Sequence, residues 1–284
     1  MNSLADYCDP GTVISDEFMP VAADVSLRVI TFSPAADYNN PVIFIIPGWI
    51  SIVEGWKTLL SDFTRDHTVI YMETREKSSS KISRYSDLSV EKIGEDISVV
   101  IKKKYLSESD YILLGSSLGA TSIIEGYHLI GSRPKCLIMI GPNAEFGFTF
   151  LAKTIIRVCP VFLYKFALPF IKWYMKKNYL DVRADPEQYE NYSDLLNYIE
   201  PRRVKRSALA FFDYKVWQRL SDIDCPALIL GGSNDVMHNP HNIELMVKKI
   251  KDVRYIDLEI NSRTHGQEAI KIMRSFMDLS FAKV

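Results

Sequence analysis

Residues 111–127 read YILLGSSLGATSIIEGY, an apolar run followed by a Gly-Ser-Ser-Leu-Gly turn and a helical pattern. The turn matches G-x-S-x-G with Ser117 at its centre, between a predicted strand and a predicted helix. A sharp turn of this kind strains the central residue and lifts its hydroxyl above the sheet edge. Gly115 and Gly119 suit flanks that approach each other too closely for side chains. We interpret Ser116 as a spacer. The alternative is a tight connection without catalysis.

Apolar runs like the one before Ser117 recur along the chain. They are short, rich in Ile, Leu and Val, and bounded by Gly, Pro or Asp, as in strands buried on both faces. Helical patterns separate them, which predicts an α/β fold with a mostly parallel central sheet and helices on both faces. The alternating segment VSLRVITFSP before the first run predicts an early antiparallel edge strand. The runs are 42–46, 69–72, 111–114, 136–140, 227–230 and 253–258.

Residues from about 144 to 220 break this alternation, because they contain helical patterns and no clear strand. Their first half is dense in Phe, Leu, Ile and Tyr, and their second half is more polar. A transmembrane helix is disfavoured because Lys153, Arg157, Lys165 and Lys172 recur too often for about 20 uninterrupted apolar residues. We therefore predict a core of residues 1–143 and 221–284, with residues 144–220 inserted as a helical cap, or lid, over one end of the sheet.

The charge balance and the cysteines exclude some classes of function. The formal net charge is -1, from 34 basic and 35 acidic residues, so no field of one sign is available to bind nucleic acid. The cysteines form no C-x-x-C pair, and we expect no metal site. Reduced cysteines and an N-terminus without a basic region and apolar stretch predict a cytoplasmic protein. The four cysteines are Cys8, Cys136, Cys159 and Cys225.

A serine hydroxyl is a weak nucleophile that needs a base, and the base needs a group to orient it. Asp235 lies on the loop after the run 227–230, and His265 lies on the loop after the run 253–258. Because the carboxyl ends of parallel strands meet at one sheet edge, we expect Ser117, Asp235 and His265 to converge there. His238 and His241 are set aside, because they share the loop of Asp235 and would need a different base geometry.

Two backbone N–H groups are the candidates for an oxyanion hole. One belongs to Leu118, the residue after the predicted nucleophile. The other belongs to Trp49, on the loop IIPGWIS that follows the first buried run, where Gly48 lets the chain turn back. The Trp49 ring could instead, or in addition, line the wall of the pocket.

These motifs resemble those of the α/β-hydrolase fold superfamily, specifically of its cap-bearing serine hydrolases, over about Val25 to Leu279. GSSLGA is similar to the nucleophile elbow, GGSNDVMH to the acid loop and THG to the histidine loop. IIPGWIS resembles the H-G-x oxyanion loop with Pro47 in place of the histidine. VIYMETREKSSS resembles the D-x-R-G-x-G-x-S segment, but Glu73 is the acidic residue and both glycines are missing. We therefore expect a different loop near the pocket.

The resemblance implies an esterase-like or lipase-like enzyme that cleaves a carboxylic ester through an acyl-enzyme, without metal or cofactor. Ser117 would attack the carbonyl, His265 would act as general base and acid, and Asp235 would orient the imidazole. A serine nucleophile argues against haloalkane and epoxide cleavage, which use Asp in this fold. The aromatic cap indicates a hydrophobic acyl group, unless the aromatic residues only pack the insertion on the core.

Other functions remain open at this point. The same triad could serve an acyltransferase, a thioesterase or a C–C bond hydrolase, and the superfamily also has non-catalytic ligand-binding members. The expected partner is a small hydrophobic ester, with a weak contact between the cap and a membrane surface as a further expectation. The sequence does not determine the natural substrate, the acyl length or the oligomeric state.

Overall fold

The computed structural model describes residues 3–108, 110–178, 182–183, 186–197 and 199–281. Within these residues, nine strands form one sheet with the order β1-β2-β4-β3-β6-β7-β8-β9, and β5 pairs with β2. The prediction of an α/β fold with a mostly parallel sheet is confirmed. The strands are β1 (Val13–Ala22), β2 (Val25–Ser33), β3 (Val42–Ile46), β4 (Val69–Met72), β5 (Lys81–Ile82), β6 (Tyr111–Ser116), β7 (Cys136–Ile140), β8 (Ala227–Gly231) and β9 (Val253–Asp257).

The antiparallel part of the sheet lies at one side. β1 pairs with β2, and β2 pairs with β4, both antiparallel, whereas every pair from β4 to β9 is parallel. The predicted antiparallel strand is thus β2, but β1 occupies the edge. β1 is mostly exposed, and Ser15, Asp16 and Glu17 separate its apolar residues, so it lacks the alternation that marks β2.

Helices cover both faces of the sheet. Side chains from α2, α3 and α8 join one buried cluster with Phe44 and Leu113, and side chains from α1 and α9 join the other with Ile45 and Leu114. Because successive side chains of a strand point to opposite faces of the sheet, neighbouring residues of one strand enter different clusters. The helices are α1 (Lys57–Phe63), α2 (Val90–Lys103), α3 (Leu118–Gly126), α4 (Phe150–Val158), α5 (Tyr164–Asn178), α6 (Pro186–Leu195), α7 (Pro201–Phe211), α8 (Pro240–Val247) and α9 (Gln267–Phe281).

Helices α4 to α7 lie between β7 and β8, within the range predicted as the cap. The two ends of this range meet, because the backbone N–H of Val216 donates to the carbonyl of Ala144 at 2.9 Å and Glu145 forms a β-bridge with Lys215. Residues 179–181, 184–185 and 198 of the predicted cap, and 1–2, 109 and 282–284 of the predicted core, lie outside the described residues. The division into core and cap stays a prediction.

Within the described ranges, no single helix combines the length and apolarity needed to cross a membrane. α4 and the helical segment Val161–Lys177 meet those limits only when they are counted together, and the chain bends by 107° between them.

Candidate active site

Ser117 occupies a strained turn between β6 and α3. Its φ is 49° and its ψ is -115°, a conformation that L-residues rarely adopt. Its backbone N–H is held by the carbonyl of Ile140 at 2.8 Å. The first turn of α3 lies so close to β3 that a Cβ at Gly119 would overlap the carbonyl oxygen of Ile46. Glycine at this position therefore permits the turn that presents the Ser117 hydroxyl, which remains partly exposed.

His238 is the imidazole in contact with the Ser117 hydroxyl. Its Nε2 lies 2.9 Å from Ser117 Oγ, and its Nδ1 lies 2.7 Å from Asp235 Oδ2. The carboxylate can only accept, so Nδ1 carries the proton and Nε2 presents its lone pair to the serine. Both the His238 and the Asp235 side chains are buried. A hydroxyl, an imidazole and a carboxylate thus form one continuous chain of hydrogen bonds.

The structure corrects the prediction for His265, because it does not place this ring at Ser117. His265 Nε2 lies 3.2 Å from the hydroxyl of Ser116, the residue interpreted as a spacer. Its Nδ1 lies 3.0 Å from Thr264 Oγ1, and its ring packs edge-on against Trp56. His265 therefore lies beside the elbow, and Asp235 and Ser117 converge as predicted with a different histidine between them.

The sequence did contain a signal for His238, namely the D-x-x-H spacing of Asp235 and His238. We set this histidine aside because a base on the same loop as its carboxylate would need a different geometry. In the structure, the backbone N–H groups of Met237 and His238 donate to Asp235 Oδ1, which curls the loop. The ring then packs on Gly141, whose φ is 50° and where a Cβ would lie 3.0 Å from the imidazole.

The surroundings of His265 and of Asp235 shift the pKa of each group in a way that fixes its charge near pH 7. Burial lowers the pKa of His265 to about 4, so this ring is neutral near pH 7. Burial alone would raise the pKa of Asp235, but the neighbouring His238 and a hydrogen bond from Asn261 outweigh it and hold the pKa below its usual range. Asp235 is therefore ionised over the whole physiological range, as a group that orients an imidazole must be.

Two asparagines that the sequence analysis did not identify complete the polar network. Asn261 Nδ2 donates to Asp235 Oδ2 at 2.8 Å, and Asn143 Nδ2 donates to Ser117 Oγ at 3.1 Å. The backbone of Asn143 is fixed by Thr121, whose hydroxyl donates to the Asn143 carbonyl at 2.9 Å. Asn143 follows β7 at the carboxyl edge of the sheet, so its position in the sequence was the available signal.

The loop after β3 lies directly beside Ser117. A Cβ at Gly48 would lie 3.3 Å from the Cβ of Ser117. Leu118 is the first residue of α3, so its N–H has no acceptor within the helix. Ile50, two residues after Gly48, has a φ of 56°, which is an unusual conformation for a β-branched residue. Trp49 follows Gly48, and Leu118 follows Ser117. The two predicted oxyanion donors therefore lie where Gly48 and Ser117 approach each other.

Lys77 fixes the orientation of the peptide between Gly48 and Trp49. Its Nζ donates to the carbonyl oxygen of Gly48 at 2.5 Å, and it lies 3.1 Å from the Glu76 carboxylate. The carbonyl of Gly48 and the N–H of Trp49 belong to the same planar peptide and point in opposite directions. An ammonium group on the carbonyl side therefore directs the Trp49 N–H away from Lys77.

The segment that departs from the D-x-R-G-x-G-x-S pattern forms a buried charged cluster. Burial raises the pKa of Glu73 to about 7, and Lys77 and Arg28 partly oppose this rise. Arg75 and Asp96 make a buried ion pair, with Nη2 and Oδ1 at 2.7 Å. The side chains of Glu73, Glu76 and Lys77 are thus buried, and Lys77 is the one that contacts the loop after β3.

The Trp49 side chain joins the loop after β3 to the predicted cap. Its indole Nε1 donates to Ser207 Oγ of α7 at 2.9 Å, and its ring packs edge-on against Phe148 and Phe211. Phe211 in turn stacks on Phe146. An aromatic group therefore lies next to the loop that borders Ser117.

No cluster of three or more His, Cys, Asp or Glu side chains that could hold a metal ion occurs in the described part of the chain.

Comparisons with solved structures identify the fold. An esterase from Thermogutta terrifontis matches with a TM-score of 0.74 at 18% identity, over 95% of this chain and 98% of that chain. An enol-lactonase from Burkholderia xenovorans matches with a TM-score of 0.71 at 15% identity, over 90% and 99%. A bromoperoxidase from Bacillus anthracis matches with a TM-score of 0.71 at 16% identity, over 93% and 100%. No protein-family model and no curated protein sequence matches the chain.

Proposed function

Because the chain has the α/β-hydrolase fold, we propose that it is a serine hydrolase that cleaves carboxylic esters through an acyl-enzyme. The proposal replaces His265 with His238 as the catalytic base. One observation carries it: His238 lies within hydrogen-bond distance of both Ser117 Oγ, at 2.9 Å, and Asp235 Oδ2, at 2.7 Å. This is the arrangement that proton transfer from a serine to an imidazole requires.

The reaction proceeds in two halves. Ser117 Oγ attacks the ester carbonyl while its proton passes to His238 Nε2, and Asp235 stabilises the imidazolium that forms. The same proton then goes to the leaving alcohol, and an acyl group remains on Ser117. In the second half, His238 takes a proton from water, the hydroxide attacks the acyl-enzyme, and the acid leaves as the proton returns to Ser117.

The negative charge of the tetrahedral intermediate is bound by the N–H groups of Trp49 and Leu118. Two features support this assignment: Gly48 touches Ser117, and Lys77 orients the Gly48–Trp49 peptide from its carbonyl side. Donors that are fixed before the reaction cost no reorganisation when the charge develops. Asn143 adds a donor to Ser117 Oγ itself, which stabilises the charge that the oxygen gains as its proton leaves.

The acyl group of the substrate is hydrophobic in this proposal. The support is the aromatic group of Trp49, Phe146, Phe148 and Phe211, which adjoins the oxyanion loop and belongs partly to α7. Aromatic walls with a few polar groups are typical of sites for apolar ligands.

A matched pair of variants tests the assignment of the base. We expect His238→Asn to reduce kcat/KM for an aryl ester by about a thousandfold or more, as Ser117→Ala does, because both remove a member of the triad. We expect His265→Asn to reduce it by less than about tenfold, because its ring contacts the hydroxyl of Ser116 and not that of Ser117. Circular dichroism and thermal unfolding of each variant establish that the fold is kept. A larger loss for His265→Asn than for His238→Asn would contradict the assignment.

A fluorophosphonate probe and a series of aryl esters test the reaction class. The wild type should be labelled, and Ser117→Ala should not. Turnover should increase from short to medium acyl chains. Absence of labelling would remove the hydrolase proposal, and a preference for acetyl esters would remove the hydrophobic acyl group. Labelling without ester turnover would contradict ester hydrolysis and favour an acyltransferase, a thioesterase or a binding protein.

A further inference from the structure

An apolar and basic surface lies on the predicted cap, on the outside of α4 and of the helical segment Val161–Lys177. Three phenylalanines on it are strongly exposed: Phe150 by 85%, Phe162 by 77% and Phe166 by 83%. A soluble domain normally covers aromatic side chains that are grouped in this way. We call this surface the basic aromatic face. Its further exposed apolar members are Leu151, Val158, Leu163, Phe170 and Trp173.

The aromatic residues of this face follow the helical period. Phe162, Phe166, Phe170 and Trp173 are spaced by four, four and three residues, so they occupy one side of the helix. The rings of Phe170 and Trp173 also contact each other, with centroids 5.6 Å apart. The exposed aromatic residues therefore form one continuous strip rather than isolated positions.

The charged residues on α4 and α5 themselves have a single sign. Residues 146–178 contain Lys153, Arg157, Lys165, Lys172, Lys176 and Lys177 and no Asp or Glu. Lys153 pairs with Asp213. No ion pair between described residues involves the four lysines of α5, which are Lys165, Lys172, Lys176 and Lys177.

We propose that the basic aromatic face docks on the surface of an anionic lipid membrane. Helices with Phe, Trp and Leu on one side and lysines around them lie in the interface between lipid headgroups and acyl chains. Anionic headgroups supply the opposite charge, and each lysine near such a surface strengthens binding. The bend of 107° between α4 and the segment Val161–Lys177 lets both lie against a surface instead of crossing it.

A second copy of this chain fits the face less well. Two such faces placed against each other would bring together two sets of lysines that have no ion pair among the described residues, and residues 146–178 contain no carboxylate to pair with them. Like charges at an interface cost binding free energy. A lipid surface accommodates the aromatic residues and neutralises the lysines together.

Flotation with lipid vesicles tests the apolar contribution. The wild type is expected to float with vesicles of phosphatidylcholine and phosphatidylserine, and the double variant F162D/F166D is expected to bind at least about tenfold more weakly, because two exposed rings no longer enter the interface. Tyr105→Asp is the matched control: Tyr105 is 89% exposed, lies just after α2 and has a φ of 54°, which Asp tolerates. Its binding should equal that of the wild type.

A second set of variants tests the charge. K165Q/K172Q should weaken binding to the mixed vesicles by about fivefold per lysine and leave binding to pure phosphatidylcholine unchanged. K248Q/K249Q, on exposed positions at the end of α8, is the control and should behave as the wild type. Raising the salt from about 0.05 M to about 0.5 M should weaken binding to the mixed vesicles.

Several results would overturn the proposal. One is a wild type that does not float with the vesicles. The same holds if F162D/F166D floats as well as the wild type. Another is a wild-type dimer that F162D/F166D dissociates, which would assign the face to a second copy. A third is bound protein that resists alkaline carbonate extraction, which would mean insertion. Ser117→Ala should float like the wild type, so this test is separate from that of the proposed hydrolase.

Discussion

At the scale of single residues, Lys77 shows how a buried charge can act on a backbone group. Its ammonium group contacts one end of the Gly48–Trp49 peptide, and the other end is the proposed oxyanion donor. Polarisation of the carbonyl also makes the N–H at the opposite end a stronger donor. Lys77 is thus a positioning residue in the proposed mechanism: it acts through a peptide and does not contact the substrate.

We expect loss of this contact to lower kcat by about tenfold to a hundredfold with little change in KM, because an oxyanion donor acts on the transition state more than on the bound ester. Lys77→Met alone would leave Glu76 buried without its partner, so the variant to measure is E76Q/K77M. Lys57→Met, at an exposed position of α1, is the control. Steady-state kinetics with an aryl ester decide the matter, and an unchanged kcat would contradict the role of Lys77.

At the scale of elements, the contact between β3 and α3 sets the geometry of the site. The first turn of α3 rests on the carbonyl end of β3, because Gly119 has no side chain to keep them apart. The contact brings the Gly48 loop against Ser117. The sequence pattern predicted both elements and the turn between β6 and α3, since strong apolar runs and glycines mark them. It missed β1, which is mostly exposed and pairs with β2.

Gly119→Ala is expected to destabilise the protein by about 3 kcal/mol, because the added methyl group would overlap Ile46 and force the helix from the sheet. The measurement is the free energy of unfolding in denaturant, together with the rate of fluorophosphonate labelling, which should also fall. Gly131→Ala is the control: a Cβ there meets nothing within 4 Å, so its effect should stay within about 0.5 kcal/mol. Equal stabilities of the two variants would disprove the overlap.

At the scale of the whole molecule, the loop after β4 links the predicted cap to the site. Arg203 of α7 donates to the carbonyl of Ser80 at 2.8 Å and to that of Lys77, and Arg206 donates to the carbonyl of Ser86. Lys77 in turn contacts the Gly48 loop. A path of hydrogen bonds thus runs from α7 through Lys77 to the Gly48 loop beside Ser117.

The neutral His265 contributes to the pH dependence of the global stability. Its pKa is about 4 in the folded protein, and an unfolded histidine titrates near 6.5. Between these values the unfolded chain binds a proton that the folded protein does not, so stability is lost as the pH falls from about 6.5 to 4. The contribution of His265 to this loss is at most about 3 kcal/mol.

This contribution is measured as the difference in unfolding free energy between the wild type and His265→Asn. The unfolding free energy of the wild type minus that of the variant should decrease as the pH falls from about 7 to about 4, because Asn does not titrate. His128→Asn, at an exposed position just after α3, serves as the control for the replacement of a histidine. A difference that is independent of pH would show that the His265 ring is not held neutral by burial.

The sequence by itself determined the strands of the parallel sheet, the elbow at Ser117 and the loops that end at one sheet edge, because periodicity and glycine spacing act locally. It also identified Asp235, whose position after β8 follows from the strand order. Only the tertiary structure decided which imidazole faces Ser117. His238 and His265 lie on loops that reach the same edge, and the choice depends on how each loop curls. Hydrogen bonds to Asp235 and the space above Gly141 bring His238 to the serine, and edge-on packing against Trp56 keeps His265 at Ser116.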